Sequence, residues 1–136
     1  MLKTFALIWG ILFLVAGIGG FVPALSPPAS HPGLTMEHGS ALALGLFPVN
    51  TLHNIAHILF GVWGLLAARS LGASRGYAQA VAIAYGLLII LGLLPQTNTL
   101  FGLVPLHGND VWLHVILALP AAYFGFVHKE RTAAAR

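Results

Sequence analysis

The chain has 136 residues, 58% of them hydrophobic and 7% charged, and its mean hydropathy of +0.90 means more apolar surface than a soluble domain of this length can bury. It reads as one integral membrane domain over residues 1–136, with no room for a separate soluble catalytic domain. The net charge of +3 comes from six basic residues scattered over the termini and one loop, which excludes a nucleic-acid-binding patch, and the absence of cysteine excludes disulfides, thiolate metal sites and thiol catalysis.

A hydrocarbon layer about 30 Å thick needs roughly 20 apolar residues as helix. Four segments approach that length, at about 4–22, 51–68, 77–94 and 110–128. The first resembles a secretory signal, because MLK precedes an apolar run and VPALSPPAS offers small residues for cleavage. Its apolar run is longer than a usual signal core, and a counterpart later in the chain argues that it is retained as a span.

Residues 23–50 then form a long outer loop carrying His31, Glu37 and His38, within which TMEHGSALALGLF is expected to make a short surface helix capped by Thr35. The second span opens with LFPVNTLHNIAHILFG, in which Asn50, His53, Asn54 and His57 fall at i, i+3, i+4 and i+7 on one helical face. The third span carries Ala78, Ala82 and Gly86 at four-residue steps, a small face suited to close packing. Tyr77 at its start and Trp112 near the start of the fourth span fit aromatic belts at opposite surfaces, while Trp9 and Trp63 read as packing or lipid contacts. The fourth span contains Pro120, which should kink it by removing a backbone donor and crowding the preceding turn.

All six Lys and Arg residues (Lys3, Arg69, Arg75, Lys129, Arg131, Arg136) lie at the termini or between spans two and three, and residues 23–50 and 95–109 have none. By the positive-inside rule both termini are cytoplasmic.

GLFPVNTLHNIAHIL (45–59) laid over GLVPLHGNDVWLHVI (102–116) matches Gly45 to Gly102, Leu46 to Leu103, Pro48 to Pro105 and His57 to His114, with His53 over Asp110. The preceding spans end alike, in GGFVP (19–23) and LGLLP (91–95). The expected fold is therefore all-α, a four-transmembrane-helix bundle of two tandem helix-loop-helix repeats, in which spans two and four are symmetry partners. Their polar stripes then lie at one depth. Polar groups there are costly and turn toward the protein interior.

The motifs LGLFPVNTLHNIAH, followed by a glycine-rich second span, and LFGLVPLHGNDVWLH resemble those of a family of small four-helix bacterial membrane proteins classed as a domain of unknown function. The likeness covers nearly the whole chain. It implies a four-span protein of the bacterial inner membrane and carries no mechanism.

Two chemistries compete for the stripes. A metal site would use His53, His57, Asp110 and His114, a three-nitrogen, one-oxygen set suited to zinc, iron or manganese, with His107, His38 or Glu37 adding a ligand from the outer loops. Copper(I) is disfavoured, because it prefers soft ligands and the chain has only Met1 and Met36. A haem would instead take His57 and His114 as axial ligands. Each residue also has a structural reading: Asn50 as helix N-cap, Asp110 as a cap or first-turn carboxylate, His53 hydrated or bonded to a loop carbonyl, His57 and His114 as an interhelical pair. His31, Tyr123 and His128 read as interfacial or solvated. A proton path is the weakest reading, because no ionisable residue continues the stripe inward until His128.

Four spans with one small polar cluster and no nucleophile beside a base favour a structural, stress-related or complex-subunit role, not an enzyme, with a metal- or haem-binding role in redox or sensing as the alternative. Expected partners are membrane lipid and a second copy or a larger membrane complex.

Overall fold

The computed structural model describes residues 1–30, 34 and 36–130; His31, Thr35, Arg131 and Arg136 lie outside them. The described chain is mostly helical: α1 (Leu2–Gly19), a hairpin of β1 (Ala41–Ala43) and β2 (Phe47–Val49), α2 (Thr51–Ala67), α3 (Leu71–Leu93) and α4 (Asn109–Ala122), which continues as a π-helical turn over Tyr123–Val127. Three helical stretches, Leu2–Gly19, Leu71–Leu93 and Asn109–Val127, are long and apolar enough to cross a membrane. The fourth, Thr51–Ala67, is apolar but has 17 residues.

Local chemistry sets the helix starts. Asn50 is extended and its side chain accepts from the His53 N–H, so α2 begins at Thr51 as the stripe requires. Ser70 does the same for Ala73 at 3.2 Å, and α3 therefore starts at Leu71, six residues before the apolar run suggests. Ser74 adds a clamp, its hydroxyl donating to the carbonyls of Ala67 (3.0 Å) and Ser70 (2.8 Å), which holds the turn between α2 and α3 closed. At the far end of α4, Pro120 is followed three residues later by the switch to π geometry, in which His128 N–H bonds the Tyr123 carbonyl.

The earlier start of α3 corrects the reading of Tyr77. It is 0% exposed and lies in the core, not at a membrane surface. Trp112, by contrast, is 67% exposed near the start of α4. Among the described residues of 36–47 the expected surface helix does not form, because Ala41–Ala43 pairs antiparallel with Phe47–Val49, Leu42 facing Pro48. Leu44 (φ 54°) and Gly45 (φ 70°) turn the chain between them in the left-handed region, which an α-helix cannot accommodate.

The helices pack as two antiparallel pairs, α1 with α2 and α3 with α4. A Cβ placed on Gly10 would come within 2.8 Å of the Leu65 nitrogen and 3.0 Å of the Gly61 carbonyl oxygen, so only glycine permits this approach of the α1 and α2 backbones. Phe5, Phe13, Tyr77, Val81, Tyr85 and Ala121 form the core between the pairs. Of the small residues on α3, Ala78 is buried and Ala82 packs against the core, but Gly86 has nothing within 4 Å of a would-be Cβ. The outer faces carry exposed Ile11, Val15 and Ile18 on α1, Ile83, Leu87 and Ile90 on α3, and Ile116 and Leu119 on α4, the surface expected against lipid.

Candidate metal centre

The polar residues of α2 and α4 converge under the loops that precede these two helices. Asn50 fastens those loops together: while its Oδ1 caps α2, its amide donates to the carbonyl of Glu37 in the first loop (3.0 Å) and of Leu103 in the second (2.7 Å). Neighbouring bonds complete the seam, from Glu37 N–H to the Gly102 carbonyl at 2.8 Å and from the Asn109 amide to the Leu46 carbonyl at 3.3 Å. The N-cap assignment of Asn50 therefore holds and is extended. Asn50→Ala is expected to destabilise the protein by about 2–4 kcal/mol, combining a lost cap with two carbonyls left without donors. Asn50→Asp keeps the capping oxygen but sets an acceptor oxygen against both carbonyls, so it should lose at least as much; unfolding in detergent would measure both.

Beneath this seam lie His53, Asp110 and His114, each with one ligand atom within 4.8 Å of the others'. All three are enclosed, at 4%, 1% and 1% exposure. Their hydrogen-bonding capacity is largely unused: Nδ1 of His53, both carboxylate oxygens of Asp110 and both ring nitrogens of His114 lack a partner. Oδ2 of Asp110 lies 3.2 Å from Nε2 of His114, one helical turn along α4, at an angle that does not make a hydrogen bond. Asp110 stands in the first turn of α4, one of the two places the sequence allowed, and does not cap the helix, since Gly108 holds the N-cap position without a side-chain bond. Buried polar groups are normally paired, and each one left unpaired costs about 1–3 kcal/mol. Three buried residues that each bring one ligand atom to the same small space are what an ion-binding site presents.

His57 stands beside this trio and outside it. Its ring lies 4.5 Å from that of His53 and stacks on Phe13 at 5.6 Å, and its Nδ1 is also without a partner. Asn54 turns away toward α1, where its side chain fills the space a Cβ on Gly20 would need. His38 is half-exposed beside Glu37 at 3.8 Å, and His107 is outside the trio. Near the other end of α4, His128 is largely enclosed, 3.5 Å from Glu130, while Tyr123 is exposed.

Sequence reasoning passed over Tyr85, whose ring meets His114 edge-on at 4.8 Å and also packs on Phe13. A tyrosine in mid-span three, deeper than an interfacial belt, is the signal that marks it. Phe47 and Val49 of the hairpin help to line a largely apolar cavity of about 270 Å³ beside His57 and Asp110, and they had no such signal, because the cavity depends on the loop folding back over the helices.

Fold and site together define a helical chain with the lengths and apolar surface of a multi-pass membrane protein and a buried histidine–aspartate cluster at one end. The chain belongs to the family described as Domain of unknown function (DUF4383), which it matches over residues 3–127. No curated protein and no solved structure matches it.

Proposed function

We propose that this is a bacterial inner-membrane protein that binds one divalent transition metal ion through His53, Asp110 and His114. The observation that carries the proposal is the buried trio itself, whose ligand atoms lie within 4.8 Å of one another while most lack any other partner. Two imidazoles and one carboxylate are the donor set of open iron(II) sites and of catalytic zinc sites, and manganese is compatible with it. With bonds of about 2.0–2.2 Å, donors around a tetrahedral ion stand about 3.3 Å apart, so small side-chain rotations would close the trio on an ion. An ion fits better than haem, because His53 crowds both of the histidines that a macrocycle would need as axial ligands, its ring 4.5 Å from that of His57 and 6.1 Å from that of His114. The structural role first favoured by the sequence falls to Asn50, which bonds across the loops. His53 bonds the Pro48 carbonyl just ahead of its own helix, as the sequence allowed, and Nδ1 of His57 and both ring nitrogens of His114 have no hydrogen-bond partner.

The membrane arrangement proposed is a single integral domain of four spans with both termini cytoplasmic. At about 1.5 Å per residue, α2 is roughly 25 Å long, a shortfall that local bilayer thinning meets at small cost. The tandem repeat is supported by matching backbone geometry. Leu44 and Gly45 (φ 54° and 70°) and their counterparts Phe101 and Gly102 (φ 60° and 89°) are all left-handed. Gly20 closes on Asn54, as Gly92 closes on the corresponding Val111.

The test is metal content. Protein purified without a metal-binding tag and washed briefly with chelator should retain about one iron, zinc or manganese per chain by plasma mass spectrometry. Asp110→Asn and His114→Ala should abolish retention, while His57→Ala should leave it. A folded wild-type chain that retains no metal, or variants that bind as wild type does, would return the cluster to a structural or complex-subunit role.

A further inference from the structure

At the other end of the bundle from the trio, a cleft of about 410 Å³ opens between the first turns of α3 and residues 126–130 beyond α4. Neither the trio nor His57 borders it. Its wall is polar and apolar in about equal measure, and the polar part carries charge. Arg75 is half-buried there, its Nη1 donating to the Gly125 carbonyl (3.3 Å) and its Nη2 to the His128 carbonyl (2.9 Å). Those bonds fix the guanidinium at the cleft and leave the rest of its N–H groups for another acceptor. Lys129 also lines the cleft, is exposed, and has no partner for its ammonium among the described residues. Glu130 borders the cleft too, but its Oε1 accepts from the Met1 amino group (2.8 Å) and the Leu2 N–H (2.7 Å), so its charge is already matched. The cleft therefore holds a surplus of positive charge. Its apolar part is open, with Leu71, Phe126 and Val127 exposed, and Gly72 has nothing within 4 Å of a would-be Cβ, which leaves room against α3.

We propose that this cleft binds one anionic phospholipid, with its phosphate against Arg75 and Lys129 and its acyl chains along Leu71, Phe126 and Val127. A phosphate is the acceptor that a guanidinium and an ammonium hold well. Lys3, Arg69, Arg75 and Lys129 all gather at this end, which the positive-inside rule turns to the cytoplasm, and basic pockets between spans on that side suit acidic headgroups. A free phosphate answers the cations but covers none of the apolar wall. A choline or ethanolamine headgroup brings a further cation to two cations. The site rests on the chain spanning a membrane, as proposed above, and is independent of the metal.

The experiment is native mass spectrometry of the full chain in detergent, titrated with phosphatidylglycerol or with phosphatidylcholine of the same acyl chains. One phosphatidylglycerol per chain is expected to bind about tenfold more tightly than phosphatidylcholine. Lys129→Gln should cut that preference to about threefold, and Gly72→Trp, which fills the cleft from α3, should erase it. Arg69→Gln removes the same charge at the same end of the molecule but outside the cleft, and should leave the preference intact. All three positions are exposed, so the variants keep the fold. Equal binding of the two lipids by the unaltered chain, or an Arg69→Gln variant that loses as much preference as Lys129→Gln, would overturn the site. Displacement of the lipid by millimolar inorganic phosphate would do the same, because the ligand would then be a free anion. A chain that stays dispersed once detergent is removed refutes the membrane arrangement and the site together, whereas a detergent-requiring chain without lipid preference refutes the site alone.

Discussion

Replacing Asp110 with leucine is expected to raise the stability of the chelated protein by about 1–3 kcal/mol, the cost of a buried polar group left without a hydrogen-bond partner. The same change should abolish metal binding. Asp110 is 1% exposed, neither oxygen has a hydrogen-bond partner, and it caps nothing, so its carboxylate bears the full cost of desolvation and returns little as a contact. Leucine is larger, but Asp110 borders the cavity, which gives the extra carbons an apolar place. The order reverses with metal present, because an ion that binds only the folded state stabilises wild type by mass action and has nothing to hold in the variant. Thermal unfolding in detergent, with chelator and then with added iron(II), zinc or manganese, reads both arms. A leucine variant that is less stable by 1–3 kcal/mol under both conditions would mean that the carboxylate is a structural hydrogen-bonding group and that the metal proposal is wrong.

How much of this was legible beforehand depends on what each feature rests upon. The stripe of Asn50, His53, Asn54 and His57 follows from 3.6-residue periodicity alone, and three of its members are buried toward α4 or the loops as that geometry requires. The pairing of His53 with Asp110 and His114 followed from internal similarity, since matched segments placed both stripes at one depth. Periodicity does not define how far α4 is rotated about its own axis. That rotation left His57 beside the trio instead of within it, a division of roles no spacing could reveal.

The misreadings have a common cause. Hydropathy starts a span where the apolar run starts, which put Tyr77 at a membrane surface; the Ser70 cap starts α3 at Leu71 and carries Tyr77 nearly two turns inside, against Gly64. The segment SALALGLF has the composition of a short helix, yet strands of three residues need only a left-handed turn at Leu44 and Gly45 and a partner nearby. That hairpin then became the cavity wall. The features missed are those decided by local hydrogen bonds and backbone geometry, and they are the ones that shape the chamber around the cluster.

The largest effect on folding is expected at Gly10, far from the site. Its α1 position faces the α2 backbone so closely that a Cβ would stand 2.8 Å from the Leu65 nitrogen and 3.0 Å from both the Gly61 oxygen and the Gly64 carbonyl carbon. Those neighbours are main chain, which cannot rotate aside, so the two helices must separate. Gly10→Ala gains roughly 0.5–1 kcal/mol from helix propensity and loses about 1–3 kcal/mol or more to overpacking; the steric cost decides the sign. Gly10→Leu should fail to fold. Gly86→Ala on α3 is the matched control, because nothing lies within 4 Å of its Cβ and the propensity gain stands alone, making that variant more stable by roughly 0.5–1 kcal/mol. Reversible unfolding in mixed micelles compares the pair directly. If both alanines shift stability in the same direction, close approach of α1 and α2 at Gly10 is not what holds the pair together. Opposite shifts would tie the α1–α2 spacing to backbone contact, and with it the placement of Gly17 against the carbonyl of Asn54, the neighbour of His53 and a turn short of His57.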